Sequence, residues 1–160
     1  MPFFIFNPEI CIGCRSCIIA CKQHNKLPMH VAYRSCVEIE KGEYPNLQLT
    51  FFSIACMHCT NPPCMRVCPV KAIYKTSEGI VLVNQDVCIG CGYCAFACPF
   101  GVPTFNPEGK MVKCTFCIDR LEEGLDPACV SACLTGALDY AMSALEASLK
   151  KREGWIVLKF

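Results

Sequence analysis

Sixteen of the seventeen cysteines in this 160-residue chain fall into four quartets, and each quartet ends in C-x3-C. They are Cys11/Cys14/Cys17/Cys21, Cys56/Cys59/Cys64/Cys68, Cys88/Cys91/Cys94/Cys98 and Cys114/Cys117/Cys129/Cys133. The first and third follow C-x2-C-x2-C-x3-C, whereas the second and fourth stretch one gap, to C-x2-C-x4-C-x3-C and C-x2-C-x11-C-x3-C. The unstretched pattern is the one that ligates bacterial [4Fe–4S] clusters. Sixteen thiolates are enough for four such cubanes. A chain holding four redox centres and little else reads as an electron conduit.

Two other uses of clustered cysteines fit less well. Disulfide scaffolds are cysteine-dense, but three cysteines in seven residues with a C-x3-C end suit the corner of a cube better than separate bridges. Zinc ribbons close with four ligands from C-x2-C pairs and need no third, closely following cysteine. The apolar fraction of 53% is high, yet cysteine supplies about a fifth of it. What remains is an ordinary composition with a modest core. The clusters are therefore expected to staple the fold, and the apo-chain to be largely unfolded.

The formal charge of +1 counts every cysteine as a neutral thiol. An oxidised cubane with four thiolates carries about −2, so four bring the holoprotein to roughly −7. A basic nucleic-acid surface is thereby disfavoured. Arg15, Lys22, Arg66, Lys71, Lys113 and Arg120 lie near the quartets. They could offset cluster charge, with solvated surface charge as the plainer reading for most of them. The N-terminus offers no basic region, twin arginine or adequate apolar run for a signal, and no segment approaches a membrane span of ~20 apolar residues. Air-sensitive clusters favour an anaerobic, cytoplasmic setting, with export on a signal-bearing partner left open.

Phe3 to Phe6 reads as a strand entering the first quartet, and Cys17 to His24 as a short helix. Tyr33 to Ile39 and Leu47 to Ile54 have β composition around a turn-rich stretch, residues 41–46. Ile73–Lys75 and Ile80–Val83 predict a hairpin around Ser77-Glu78-Gly79; Thr104–Asn106 and Met111–Lys113 repeat it around Pro107-Glu108-Gly109. Cluster loop, short helix, hairpin, cluster loop is an internal repeat. The expected fold class is α+β: two nested bacterial two-cluster ferredoxin-like modules, a duplicated ferredoxin fold. The four-cluster domain spans 1–142, with an outer module of 1–40 plus 108–142 and an inner module of 50–107. Residues 143–160 form a tail. In it Ser143 and Glu146 make a capping-box signature, Met142, Leu145 and Leu149 an apolar stripe, and Gly154 a stop. The segment Trp155 to Phe160 is a short apolar strand that packs on its own domain or, alternatively, docks a partner.

In two-cluster ferredoxins the fourth cysteine of one motif ligates the other cluster. The second and third quartets stand twenty residues apart and pair as a compact unit, so the first and fourth pair around them. Cluster 1 is then assigned to Cys11, Cys14, Cys17 and Cys133, and cluster 2 to Cys114, Cys117, Cys129 and Cys21. Cluster 3 takes Cys56, Cys59, Cys64 and Cys98, and cluster 4 Cys88, Cys91, Cys94 and Cys68. These sixteen are the expected iron ligands. Proline follows the fourth cysteine in the inner quartets (Cys68-Pro69, Cys98-Pro99) and not in the outer ones (Cys21-Lys22, Cys133-Leu134), which also groups inner with inner.

The stretches CIGCRSCIIACK, CMHCTNPPCMRVCP, VCIGCGYCAFACPFG and KCTFCIDRLEEGLDPACVSAC resemble the iron–sulfur subunits of molybdenum and tungsten oxidoreductases, the dimethyl sulfoxide reductase electron-transfer subunit above all. The resemblance covers roughly residues 5 to 141. It implies a wire of four clusters between a catalytic subunit, a pterin-based tungsten or molybdenum enzyme, and a second electron donor or acceptor protein. It also implies an order, with the Cys11 cluster nearest the catalytic subunit, then the Cys114, Cys56 and Cys88 clusters. The chain is short for the family, lacking a leader, long insertions and a membrane anchor. In this it looks more like cytoplasmic members serving tungsten enzymes, hydrogenases or formate dehydrogenases. A freely diffusing polyferredoxin and a metal-stapled assembly module are the alternative readings.

No Ser/His/Asp set, phosphate loop or dinucleotide fingerprint is present, so no catalytic residue is expected and the chain alone is not an enzyme. Cys36 reads as a small buried hydrophobe, with a ligand-exchange or redox role as the alternative. His58, between Cys56 and Cys59, could donate to a cluster sulfur, with an exposed or backbone-bonded histidine as the alternative; His24 and His30 are expected to have no electron-transfer role. Tyr93, Phe96, Phe100 and Phe116 lie in cluster loops and are expected to exclude water. Asp119, Glu122, Glu123 and Asp126 read as a solvated helix face, with a partner patch as the alternative.

Overall fold

Four phenylalanine and isoleucine residues in a row, Phe3–Phe6, form strand β1, and all four are buried. A computed structural model describes residues 2–152 and 155–158 of the chain. β1 is the middle strand of a three-stranded antiparallel sheet, paired on both edges by β8 (Leu138–Ala141) and β9 (Ile156–Leu158), and each of its faces packs against a separate hydrophobic cluster. Side chains alternate across a strand. Phe4 and Phe6 therefore enter the main core with Phe116 and Leu138, while Phe3 meets Ala141, Ala147 and Val157 on the other side.

Pairing of β1 with β8 fastens the N-terminus to the segment that follows the fourth quartet. The same alliance recurs in helices: α1 (Ser16–His24) packs on α5 (Ala128–Ser131), carrying Cys17 and Cys21 toward Cys129. In the interior of the chain α2 (Pro63–Arg66) packs on α3 (Tyr93–Ala97), bringing Cys64 beside Cys94. The two internal hairpins are alike. β4 (Ile73–Lys75) pairs with β5 (Val81–Val83), and β6 (Thr104–Phe105) with β7 (Met111–Val112). Each closes through a glycine at positive φ, Gly79 and Gly109, whose N–H reaches back three residues to Thr76 and Asn106. Short strands, short helices and local hairpins make this an α+β, ferredoxin-like protein.

The longest element is the hairpin of β2 (Arg34–Lys41) and β3 (Gln48–Ala55), paired over eight residues. Its tip is exposed, while its base inserts Arg34, Ser53 and Ala55 into the interior. α4 (Ile118–Glu122) follows the fourth quartet's first two cysteines. In the tail, α6 (Ala144–Arg152) starts at the expected cap, with the Glu146 N–H donating to Ser143 Oγ at 3.1 Å. The Glu146 carboxylate reaches one residue further back than a capping box requires, accepting from the Met142 N–H at 3.0 Å.

The stripe of Met142, Leu145 and Leu149 does not face the domain. All three are exposed, and α6 instead buries Ala147 against Phe3 and Ala141. The segment beginning at Trp155 returns to pair with β1, so its described part is a sheet strand. Gly154, the expected stop, and Lys159 and Phe160 lie outside the described residues.

Candidate iron–sulfur sites

Every quartet opens with C-x2-C, and in all four loops the residue before the second cysteine has positive φ. These are Gly13 at 66°, His58 at 42°, Gly90 at 70° and Phe116 at 59°. The left-handed residue turns the chain so that two thiols three positions apart point inward together. Glycine does this without strain; His58 and Phe116 carry a cost of about 1–2 kcal/mol each, offset by near-complete burial of both rings. A second turn follows the last cysteine. Lys71, Gly101 and Gly136, each three residues on from Cys68, Cys98 and Cys133, donate N–H to those cysteines' carbonyls and again have positive φ.

The loops surround three small hollows, each partly open to solvent. The first is lined by Cys88, Cys91, Cys94 and Cys68; the second by Cys56, Cys59, Cys64 and Cys98; the third by Cys11, Cys14, Cys17 and Cys133. Each takes three thiols from one quartet and the fourth from another. The remaining four, Cys114, Cys117, Cys129 and Cys21, are all buried, and Cys21 and Cys114 both feel the charge of Cys129. Exposure follows the same arrangement: one cysteine is exposed in the Cys11 set (Cys14) and one in the Cys88 set (Cys91).

The donors suit a cationic core bound by thiolates. Burial pushes the Cys21 thiol up to about 12 and the Cys64 thiol up to about 11, with neighbouring sulfurs adding to both, and pushes Cys114 up as well. Packed thiols of this kind ionise when a metal takes the proton's place. Backbone N–H groups already point at the sulfurs. Ala72 donates to Cys68 at 3.3 Å, and Met111, Phe116 and Leu138 donate to Cys88, Cys114 and Cys133 at 3.4 Å each. Such bonds stabilise the charged sulfur and tune a cluster's potential.

Comparison with known proteins agrees with this chemistry. A model of the 4Fe-4S dicluster domain matches residues 47–143, which contain the second, third and fourth quartets. One chain of the anaerobic dimethyl sulfoxide reductase of Escherichia coli K12 is 40% identical over 146 residues, covering 86% of this protein and 71% of the relative. The protein belongs to the dimethyl sulfoxide reductase iron–sulfur subunit family. A thiosulfate reductase electron transfer subunit of Salmonella typhi is 47% identical over 141 residues, covering 85% of this protein and 73% of that one. A selenate reductase subunit of Mesobacillus selenatarsenatis is 37% identical over 164 residues, covering 81% and 56%. This iron–sulfur subunit works by electron transfer through [4Fe–4S] clusters and is not catalytic on its own.

Several of its side chains stand elsewhere than the sequence suggests. Cys36 is not a buried hydrophobe: it is half-buried and lines the Cys11 cavity, opposite Ser53 in the hairpin register. Tyr93 and Phe96 do not exclude water, since both are exposed and Phe96 is 91% accessible. Phe116 and Phe100 do cover sulfur sites, the first fully buried and the second lining the Cys56 cavity. His58 is 2% exposed; its Nδ1 accepts the Val81 N–H at 3.0 Å, so Nε2 carries the proton, and Nε2 has no partner among the described residues. Burial, with Lys113 and Lys75 nearby, holds the ring neutral by depressing its pKa. The acidic group is exposed as expected but is not one helix face, since only Asp119 and Glu122 lie on α4; Asp119 pairs His24 at 2.9 Å.

The cations sort themselves by reach. Lys22 donates to the carbonyls of Pro28, Met29 and Val31, Arg15 pairs Glu38 at the surface, and Arg120 holds the Asp126 carbonyl. Lys113 is buried at the edge of the Cys56 cavity and donates to the carbonyls of Val81 and Cys114. Sequence reasoning missed Arg34, which is buried among the outer cysteines. Nothing in the local pattern marks it, because it opens a strand whose remaining charged residues face solvent.

Proposed function

We propose that this subunit relays single electrons along four [4Fe–4S] clusters, each held by three cysteines of one quartet and the last cysteine of its partner quartet. The ligand sets are Cys11, Cys14, Cys17 with Cys133; Cys114, Cys117, Cys129 with Cys21; Cys56, Cys59, Cys64 with Cys98; and Cys88, Cys91, Cys94 with Cys68. The observation that carries the reading is that three separate cavities are each lined by three cysteines of one quartet and the last cysteine of its partner quartet, with Cys36 as a fifth thiol in the Cys11 cavity. When bound, the clusters supply one-electron redox centres.

Adjacency supports one linear order. Cys17 of the first set feels Cys129 of the second, and Cys114 of the second feels Cys56 of the third. The third and fourth sets exchange Cys98 and Cys68 between their quartets. Only the end sets contain an exposed cysteine, so the middle of the row of sites is insulated and its ends are open. One end faces a catalytic reductase subunit carrying a pterin-bound molybdenum or tungsten, and the other a second redox protein. Among the described residues no helix is long and apolar enough to cross a membrane.

Two measurements test this. Replacing Cys133 by serine is expected to alter the EPR signal of the cluster bound at Cys11 and to leave that at Cys114 unchanged. The opposite loss overturns the ligand sets. Intact-complex mass spectrometry with metal analysis is expected to find a larger subunit bearing molybdenum or tungsten; a fully functional free monomer overturns the partnership.

A further inference from the structure

Arg34 is 2% exposed, and its guanidinium is only partly satisfied. Nη1 donates to Ser53 Oγ at 3.0 Å, while Nε and Nη2 have no partner among the described residues. The guanidinium lies over Phe4, whose centroid is 4.5 Å from Cζ, and the Phe4 ring in turn packs at a 36° tilt on Phe116, centroids 4.4 Å apart. The side chain is therefore held between Ser53 and Phe4 and shielded from bulk solvent. An arginine left with two orphaned donors in such a place costs several kcal/mol unless an acceptor of negative charge is supplied. The groups around it are cysteines from two ligand sets. Ser53 Oγ lies 3.4 Å from Cys17 Sγ. Burial alone would weaken the guanidinium's charge, but Cys129, Cys114, Cys17 and Cys21 more than offset that effect.

We infer that Arg34 is a positioning residue set between the first two clusters, donating through Nε and Nη2 to sulfur of the groups held at Cys17 and at Cys114, and so raising both reduction potentials. The inference rests on the ligand sets proposed above. Its geometry distinguishes it from Lys113, whose ammonium is occupied by the carbonyls of Val81 and Cys114. A planar fork holds its donors in fixed directions toward two acceptors, whereas an ammonium on a flexible stem turns its donors to whatever acceptors lie nearest. Charge-assisted donors stabilise the reduced, more negative cluster more than the oxidised one. Loss of Arg34 therefore makes both clusters harder to reduce.

The test uses the holoprotein reduced in steps. With arginine 15N-labelled in the guanidinium alone, pulsed EPR is expected to show 15N hyperfine coupling at a reduced cluster, absent from the labelled Arg34→Lys variant. Redox titration of Arg34→Met is expected to lower the potentials of the Cys11-set and Cys114-set clusters by at least a tenfold change in the one-electron equilibrium, about 59 mV. The other two clusters should move less. A water filling the space would give no nitrogen coupling, and absence of coupling in the unaltered protein overturns the inference. So does an Arg34→Met protein with full iron content and unchanged potentials. Should Arg34→Met fail to load iron, labelling of the unaltered chain decides. The Cys133→Ser experiment fails separately if the ligand sets themselves are wrong.

Discussion

The imidazole of His58 meets the Phe116 ring edge-on, with centroids 5.3 Å apart and planes at 89°. The two residues hold the same position in the second and fourth quartets, where the first and third have glycine. Each carries backbone strain at positive φ, and their mutual burial offsets it. The contact also joins an inner loop to an outer one. Loss of the Phe116 side chain in Phe116→Ala is expected to destabilise the holoprotein by about 3–5 kcal/mol, against strain of about 1–2 kcal/mol. Packing wins. Faster iron release in urea checks this, and an unchanged release rate refutes it.

The glycines of the first and third quartets should differ in tolerance. A Cβ on Gly90 would lie 2.5 Å from the Gly109 carbonyl oxygen, which is backbone and cannot rotate away. A Cβ on Gly13 meets the ring of Phe51, a side chain able to shift. Gly90→Ala is expected to lose the Cys88-set cluster, whereas Gly13→Ala retains most of its iron. Iron and sulfide analysis of the two variants, with EPR, distinguishes them.

The tail offers a contrast within one helix. Ala147→Glu places an unpaired charge among Phe3, Ala141 and Val157 and is expected to detach α6 and β9, at a cost of several kcal/mol. Leu145→Glu, at a position 73% exposed, should change stability by no more than about 0.5 kcal/mol. Limited proteolysis after residue 142 reads the difference; equal cleavage would contradict the packing described.

Cys36 lines the Cys11 cavity, which four other thiols already surround. Cys36→Ala is therefore expected to keep the full iron content while shifting the EPR line shape of that cluster alone. Loss of about four irons per chain would instead make Cys36 a ligand.

Local chemistry was legible wherever neighbouring residues decide it. The first three quartets, the two Gly-closed hairpins and the Ser143 cap rest on spacings of three to five residues, and the fourth quartet departs from this only in its x11 gap. The Cys-Pro asymmetry runs with the helix pairing, in which α2 packs on α3 and α1 on α5. Orientation was less legible. Met142, Leu145 and Leu149 form a helical stripe in sequence, but the surface they would cover is already closed by Ala147. Tyr93 and Phe96 flank Cys94, yet α3 turns its sulfur inward and the rings outward.

What the sequence by itself determined is the number and chemistry of the thiols and the loops that gather them. Those features follow from backbone constraints acting within a few residues. Tertiary structure alone decided that Arg34 opens β2 pointing inward, that Cys36 joins a cavity, and that β9 closes over β1. Each depends on partners at least nineteen residues distant in the chain: Ser53 for Arg34, Cys11 and Cys133 for Cys36, Phe4 and Phe6 for β9. A buried cation between sulfur sites has no local signature, because its stabilisation comes from charges that only the folded chain assembles.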